Sequence, residues 1–215
     1  MITESRSADG VVADVHRPDT EPIGVVILAH GAGGNRDAKI LHAYADEFCR
    51  RGYAVARIDL PYRQRRPKGP PSPSTAAADR DGIRAAITLL RDEASGPLVV
   101  GGHSYGGRQA SMVIADDGGG ADLLLLSSYP LHPPGKPERA RTEHLPDISV
   151  PTVIVHGSTD PFATTDEITA AIALIGAPHR LVEIDKAGHD LKPDRKPTAP
   201  LAADAVADLL TGGTR

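Results

Sequence analysis

Short runs of apolar and β-branched residues recur along the chain at positions 11–15, 23–29, 54–58, 97–100, 122–126, 152–155 and 180–184, several apolar at nearly every position. A strand with one wet face alternates, whereas a strand covered on both faces does not, so these runs predict strands of a parallel sheet buried between helices. Between them the period turns helical. Over 37–51, Ile40, Leu41, Tyr44 and Phe48 fall on one stripe, and over 76–93 Ile83, Ala86, Ile87 and Leu90 do the same. Segments 105–115, 165–175 and 201–210 continue the alternation. The expected architecture is α/β: a three-layer sandwich with helices on either side of a mostly parallel central sheet. No period of repeat-protein length recurs, and the breaks read as loops, which predicts a single domain over 1–215. Two of those loops are rich in proline and charge: 61–74, with Arg63, Arg65 and Arg66, and 130–145, with Pro133, Pro134 and Pro137. Each follows a strand and should overhang the C-terminal edge of the sheet, where open α/β folds bind their ligands.

Composition narrows the partners. With 215 residues, 40% of them hydrophobic, the chain can build a sizeable core, and with 3% aromatic residues and no tryptophan that core is aliphatic. So few aromatics also argue against a base-stacking platform. A formal net charge of −4 gives no field that would draw nucleic acid or an anionic membrane. The apolar runs fall far short of the roughly 20 residues of a membrane span. Cys49, the one cysteine, cannot form an internal disulfide, and positions 1–10 are polar and unlike a signal peptide. A cytoplasmic protein is expected; a homodimer is compatible with the sequence.

The chemistry concentrates after the runs. Gly102-His103-Ser104-Tyr105-Gly106 is a G-x-S-x-G pattern set between a strand and a helix, where a nucleophilic serine is held on a sharp turn and the glycines relieve backbone contacts. The competing reading is a glycine-rich turn of a nucleotide-binding fold. His30-Gly31-Ala32-Gly33-Gly34 ends an earlier strand and suits an oxyanion loop, with the backbone N–H of Tyr105 and of Ala32, or else Gly33, as donors. A phosphate loop is the alternative, but neither G-x-G-x-x-G nor a Walker lysine is at the required spacing. Asp160 follows the strand at 152–155, and His189 lies in the loop before the last helix, so the chain order serine, aspartate, histidine is met. His189 would take the proton of Ser104 while Asp160 holds the imidazole tautomer. No histidine pair has helical metal-ligand spacing with a carboxylate, so neither metal nor organic cofactor is expected.

Taken with 59–63, 102–107, 129–133 and 160–162, these residues resemble the α/β-hydrolase superfamily across nearly the whole chain. More narrowly they resemble the small hydrolases grouped with testis-expressed protein 30 and the hydrolase-like subunit of the NSL chromatin complex. The resemblance implies an α/β-hydrolase fold, the triad Ser104, Asp160 and His189, and hydrolysis of a small-molecule acyl ester or thioester. The chain is also similar in size to dienelactone hydrolases, which carry cysteine where this sequence has Ser104. Residues 128–150 leave no room for a large lid domain, and an open site with a short proline-stiffened cover is expected. Gly33, Tyr62, Arg63 and His103 are the expected substrate contacts. Arg63, Arg65 and Arg66 could recognise an anion or form a solvated loop face. The alternatives to an esterase are a non-catalytic scaffold, or amide cleavage or acyl transfer by the same triad.

Overall fold

The computed structural model describes residues 2–212. Eight strands form one sheet in the order β1 (Ile2–Ala8), β2 (Val11–Arg17), β4 (Ala54–Asp59), β3 (Val25–Ala29), β5 (Leu98–His103), β6 (Leu123–Ser127), β7 (Thr152–Gly157) and β8 (His179–Ile184). From β4 to β8 every neighbouring pair is parallel. The run at 11–15, expected in the parallel set, is a correction: β2 is antiparallel to β4, and β1 folds back on β2. Asp9 and Gly10 turn that hairpin with φ of 51° and 78°, the left-handed pair that a two-residue turn needs. The sequence pattern missed β1 because ITESRSA is mostly solvent-exposed and carries no apolar face.

Apolar residues on both strand faces feed two cores. Val25, Ile27 and Ala29 point into one with Leu98 and Val100; Val26 and Leu28 point into the other with Val99. The first core is closed by α3 (Ala76–Leu90), α4 (Tyr105–Asp117) and α5 (Thr165–Ile172). The second is closed by α1 (Lys39–Arg50), through Leu41, Tyr44 and Phe48, and by α6 (Thr198–Gly212), through Ala202 and Val206. A sixth, short helix, α2 (Pro61–Arg65), begins immediately after β4 with proline in its first turn, where the missing N–H costs nothing. No described helix is long and apolar enough to cross a membrane. This frame brings the ends of β3, β4, β5 and β7 and the loop after β8 to one edge of the sheet.

Candidate active site

Ser104 sits between β5 and α4 with φ 51° and ψ −117°, a strained conformation that lifts its side chain off the sheet edge. The turn is possible because Gly106 lies under the end of β3: a Cβ there would stand 2.5 Å from the carbonyl oxygens of Ala29 and His30. The Ser104 amide is anchored to the Ser127 carbonyl at 2.8 Å.

His189 Nε2 is 2.8 Å from Ser104 Oγ, and His189 Nδ1 is 2.8 Å from Asp160 Oδ2. The second carboxylate oxygen of Asp160 accepts the Phe162 amide at 2.9 Å, which fixes the carboxyl plane. With Nδ1 donating to Asp160, Nε2 is left as acceptor toward the serine hydroxyl, the arrangement general-base catalysis requires. The loop carrying His189 is pinned by fully buried Leu191, whose carbonyl accepts the Thr198 hydroxyl at 2.8 Å and whose amide bonds the Gly188 carbonyl at 3.0 Å. The Phe162 ring packs on the imidazole at 4.3 Å between centroids.

The loop 31–34 lies directly against this group: a Cβ on Gly31 would meet Ser104 Cβ at 3.4 Å and His103 Cδ2 at 3.2 Å. Its carbonyls are gripped from behind. His30 Nδ1 bonds the Gly31 carbonyl at 2.9 Å, the Tyr62 hydroxyl reaches the Gly31 and Ala32 carbonyls at 3.2 and 2.9 Å, and Arg63 donates to Gly34 at 2.7 Å and Ala32 at 3.3 Å. The Ala32 amide, by contrast, bonds no other described residue. The Tyr105 amide opens α4 and has no intrahelical acceptor. The Tyr105 hydroxyl donates to Asp79 Oδ2 at 2.7 Å while Asp79 Oδ1 accepts the Tyr62 amide at 2.9 Å, so a buried carboxylate ties the serine turn to the residues that hold the loop. Burial raises the Tyr62 hydroxyl to a pKa of about 12, which keeps it a donor. Beyond the loop, the Arg36 amide bonds Asp59 Oδ1 at 2.8 Å, and the Arg36 guanidinium pairs with Asp59 and Asp14.

A cleft of 720 Å³ opens over Ser104 and His189, with Gly31 to Gly34, His103, Phe162, Asp190 and residues 192–195 among its walls. Of the expected substrate contacts, Gly33 and His103 line it. Burial, with the His189 ring alongside, pushes the His103 pKa down to about 3, so it faces the cleft as a neutral imidazole. Tyr62 and Arg63 are corrections: both are buried behind loop 31–34 and their donors are used on carbonyls, so neither reaches the cleft. Asp79 and the packing face of Phe162 were not found by sequence reasoning; the aspartate reads as one more polar position of an amphipathic helix.

Residues 22–208 match the family model of the alpha/beta hydrolase domain. Among solved structures, a dienelactone hydrolase from Anabaena variabilis is 19% identical over 98% of this chain and 97% of its own, with a TM-score of 0.75. Est1E from Butyrivibrio proteoclasticus, solved with ferulic acid, is 16% identical over 95% and 99%, with a TM-score of 0.72. An α/β serine hydrolase without a lid from Xanthomonas campestris is 17% identical over 98% and 93%, with a TM-score of 0.69. At such identities the likeness is one of fold: the α/β-hydrolase fold, without a lid domain.

Proposed function

The chain belongs to the alpha/beta hydrolase domain family, and we propose that within it the protein is a serine hydrolase cleaving a small acyl ester or thioester through an acyl-enzyme. The observation that carries this reading is the continuous line from Asp160 Oδ2 through His189 to Ser104 Oγ, 2.8 Å at each step, at the floor of an open cleft. Ser104 Oγ attacks the carbonyl carbon as its proton passes to His189 Nε2, and Asp160 stabilises the imidazolium. The tetrahedral oxyanion is held by the free amides of Ala32 and Tyr105, aimed where the charge develops. Collapse breaks the bond to the leaving oxygen or sulfur, which departs with the proton from Nε2. Water then attacks the acyl carbon, gives its proton to Nε2, and Ser104 regains a proton as the acid is released. The narrower kinship with the group of testis-expressed protein 30 belongs to the same reading and rests on the motifs of 30–34, 59–63 and 129–133.

The test is hydrolysis of p-nitrophenyl esters from acetate to decanoate by wild type and Ser104→Ala, alongside labelling by a fluorophosphonate. Wild-type turnover and labelling should occur, and the variant should lose at least about 10⁴-fold in kcat with unchanged melting temperature. Turnover retained by Ser104→Ala would sink the nucleophile; labelling without ester turnover would move the reading to amide cleavage or acyl transfer, and neither would favour a scaffold.

A further inference from the structure

A second cleft, of 550 Å³, shares Ala32, Ser104 and Phe162 with the first but leads from the serine toward different walls. Pro70, Pro71 and Pro73 stiffen one of them; Arg80 of α3, Arg108 and Gln109 of α4, and Arg141 of the segment after β6 make another. Several arginines elsewhere are matched to carboxylates: Arg17 to Glu93, Arg36 to Asp59, Arg51 to Asp204, Arg57 to Asp14, Arg84 to Asp116, while Arg63 is matched to backbone carbonyls. The arginines of this wall are not matched to carboxylates. Arg80 donates to Gln109 Oε1 at 3.2 Å and Arg141 to the Pro130 carbonyl at 2.7 Å, and none of the three has a carboxylate within 4.0 Å among the described residues.

Two donors in the same wall are buried without any acceptor: Arg108 Nε, and Nε2 of Gln109, a side chain fully removed from solvent. An unpaired buried donor costs free energy, and like charges brought together cost more. Burial and the charge of Arg108 together pull the Arg141 pKa below its ordinary value. Arg108 also stands in the first turn of α4, whose aligned amides add positive potential. Such a site is unfavourable when empty and becomes favourable when an anion with several acceptor oxygens enters it.

We propose that this cleft receives an oxyanion, a carboxylate or phosphate carried by the substrate, so that the protein selects esters or thioesters bearing a negative charge on the portion that leads away from Ser104 past Arg108. The proposal rests on Ser104 being the nucleophile. It assigns recognition to Arg80, Arg108 and Arg141 and not to Arg63, Arg65 and Arg66, for which the sequence left anion recognition and a solvated loop face as alternatives.

The experiment compares two matched pairs of esters. p-Nitrophenyl glutarate against p-nitrophenyl valerate puts the charge on the acyl side; 4-acetoxybenzoate against its methyl ester puts it on the leaving group. In one pair the anion should be preferred in kcat/KM by about 10-fold or more, with Arg108→Gln and Arg80→Gln each reducing that preference by about 10-fold or more, as befits hydrogen bonds between charged groups. The preference should shrink as ionic strength rises from about 0.01 to about 1 M, and Arg50→Gln, on the exposed face of α1, should leave it intact. Competition by glutarate and by inorganic phosphate then ranks the two anions. Neutral-ester turnover that depends on Ser104, with no anionic preference in either pair, overturns the arginine assignment alone, whereas absent turnover removes the hydrolase reading. Calorimetry of glutarate and phosphate with Ser104→Ala reads the site without turnover: binding that Arg108→Gln abolishes supports it, and no binding of either anion overturns it.

Discussion

Arg63 and Arg108 flank the same serine and are used in opposite ways. Arg63 is 6% exposed, and its guanidinium donates to four backbone carbonyls, those of Ala32, Gly34, Arg66 and Gly69. Arg108 is half-buried, has no carboxylate beside it, and keeps a buried Nε with no acceptor. A guanidinium surrounded by carbonyls is scaffolding, because its donors complete backbone groups that would otherwise be buried and unpaired. A guanidinium left with an unpaired donor beside a cleft and near other cations is a recognition group awaiting its acceptor. Charge alone does not separate these cases; the count of satisfied donors does.

The sharpest way to break the comparison is to remove each in turn. Arg63→Ala strands carbonyls of the loop against Ser104 and should cost about 2–3 kcal/mol, lowering the melting temperature by roughly 5–10 °C. Arg108→Met keeps the aliphatic stem and discards an unpaired charge, so its melting temperature should stay equal to wild type or rise. Thermal denaturation of both variants settles the matter: equal losses would mean that Arg108 is structural as well and would remove the contrast.

Histidines on the scaffolding side offer a second, smaller handle. His16 accepts from Arg57 Nε at 2.9 Å and His30 accepts the Leu60 amide at 3.2 Å, so each ring must carry a bare nitrogen. Burial lowers the pKa of both, and that of His103 falls to about 3. A folded-state pKa below the unfolded value near 6.5 means that the unfolded chain binds more protons between the two. Stability from these groups is therefore complete above about pH 6.5 and is lost as the pH falls toward the folded values, with a slope of at most about 1.4 kcal/mol per pH unit for each group. His132, raised by its bonds to the Pro133 carbonyl and Glu167, works in the opposite sense. Urea midpoints at pH 7 and pH 5, above the range where carboxylates titrate, should show lower stability at pH 5; a flat or rising profile would mean that these rings accept protons without cost.

What the sequence made legible follows the same division. Continuous apolar runs located β3 to β7 because burial on both faces leaves a composition signal; β8, mostly exposed or half-buried, showed only Leu181, Val182 and Ile184, and β1, exposed along most of its length, left none. The Gly102 to Gly106 motif and the order of Asp160 and His189 were readable because the turn, the close approach of Gly106 and the loop positions are local requirements. Tyr62 and Arg63 were misread because a phenol or guanidinium three or four residues beyond a strand looks the same whether it faces substrate or carbonyls. Arg80, Arg108 and Arg141 lie on three separate segments, and only folding brings them to one cleft.

Tyr62 offers the finest test, because its removal is the most nearly compensated. In Tyr62→Phe the Gly31 carbonyl keeps its bond from His30 Nδ1 at 2.9 Å, and the Ala32 carbonyl keeps the longer one from Arg63 at 3.3 Å. The edge-on packing of the ring against Tyr105, 5.8 Å between centroids, survives as well. Only one hydroxyl shared between two carbonyls is lost, worth about 0.5–1.5 kcal/mol, so stability should fall by no more than that. Loop 31–34 would then hold the Ala32 amide less firmly, and an oxyanion donor displaced by a fraction of an ångström matters in the transition state more than in substrate binding. The expected result is a fall in kcat of about 10-fold or less at constant KM, measured on the ester that wild type hydrolyses best. A rise in KM equal to the loss in kcat/KM would mean instead that the Tyr62 hydroxyl touches substrate, and that the scaffolding role given to the residues behind the loop must be withdrawn.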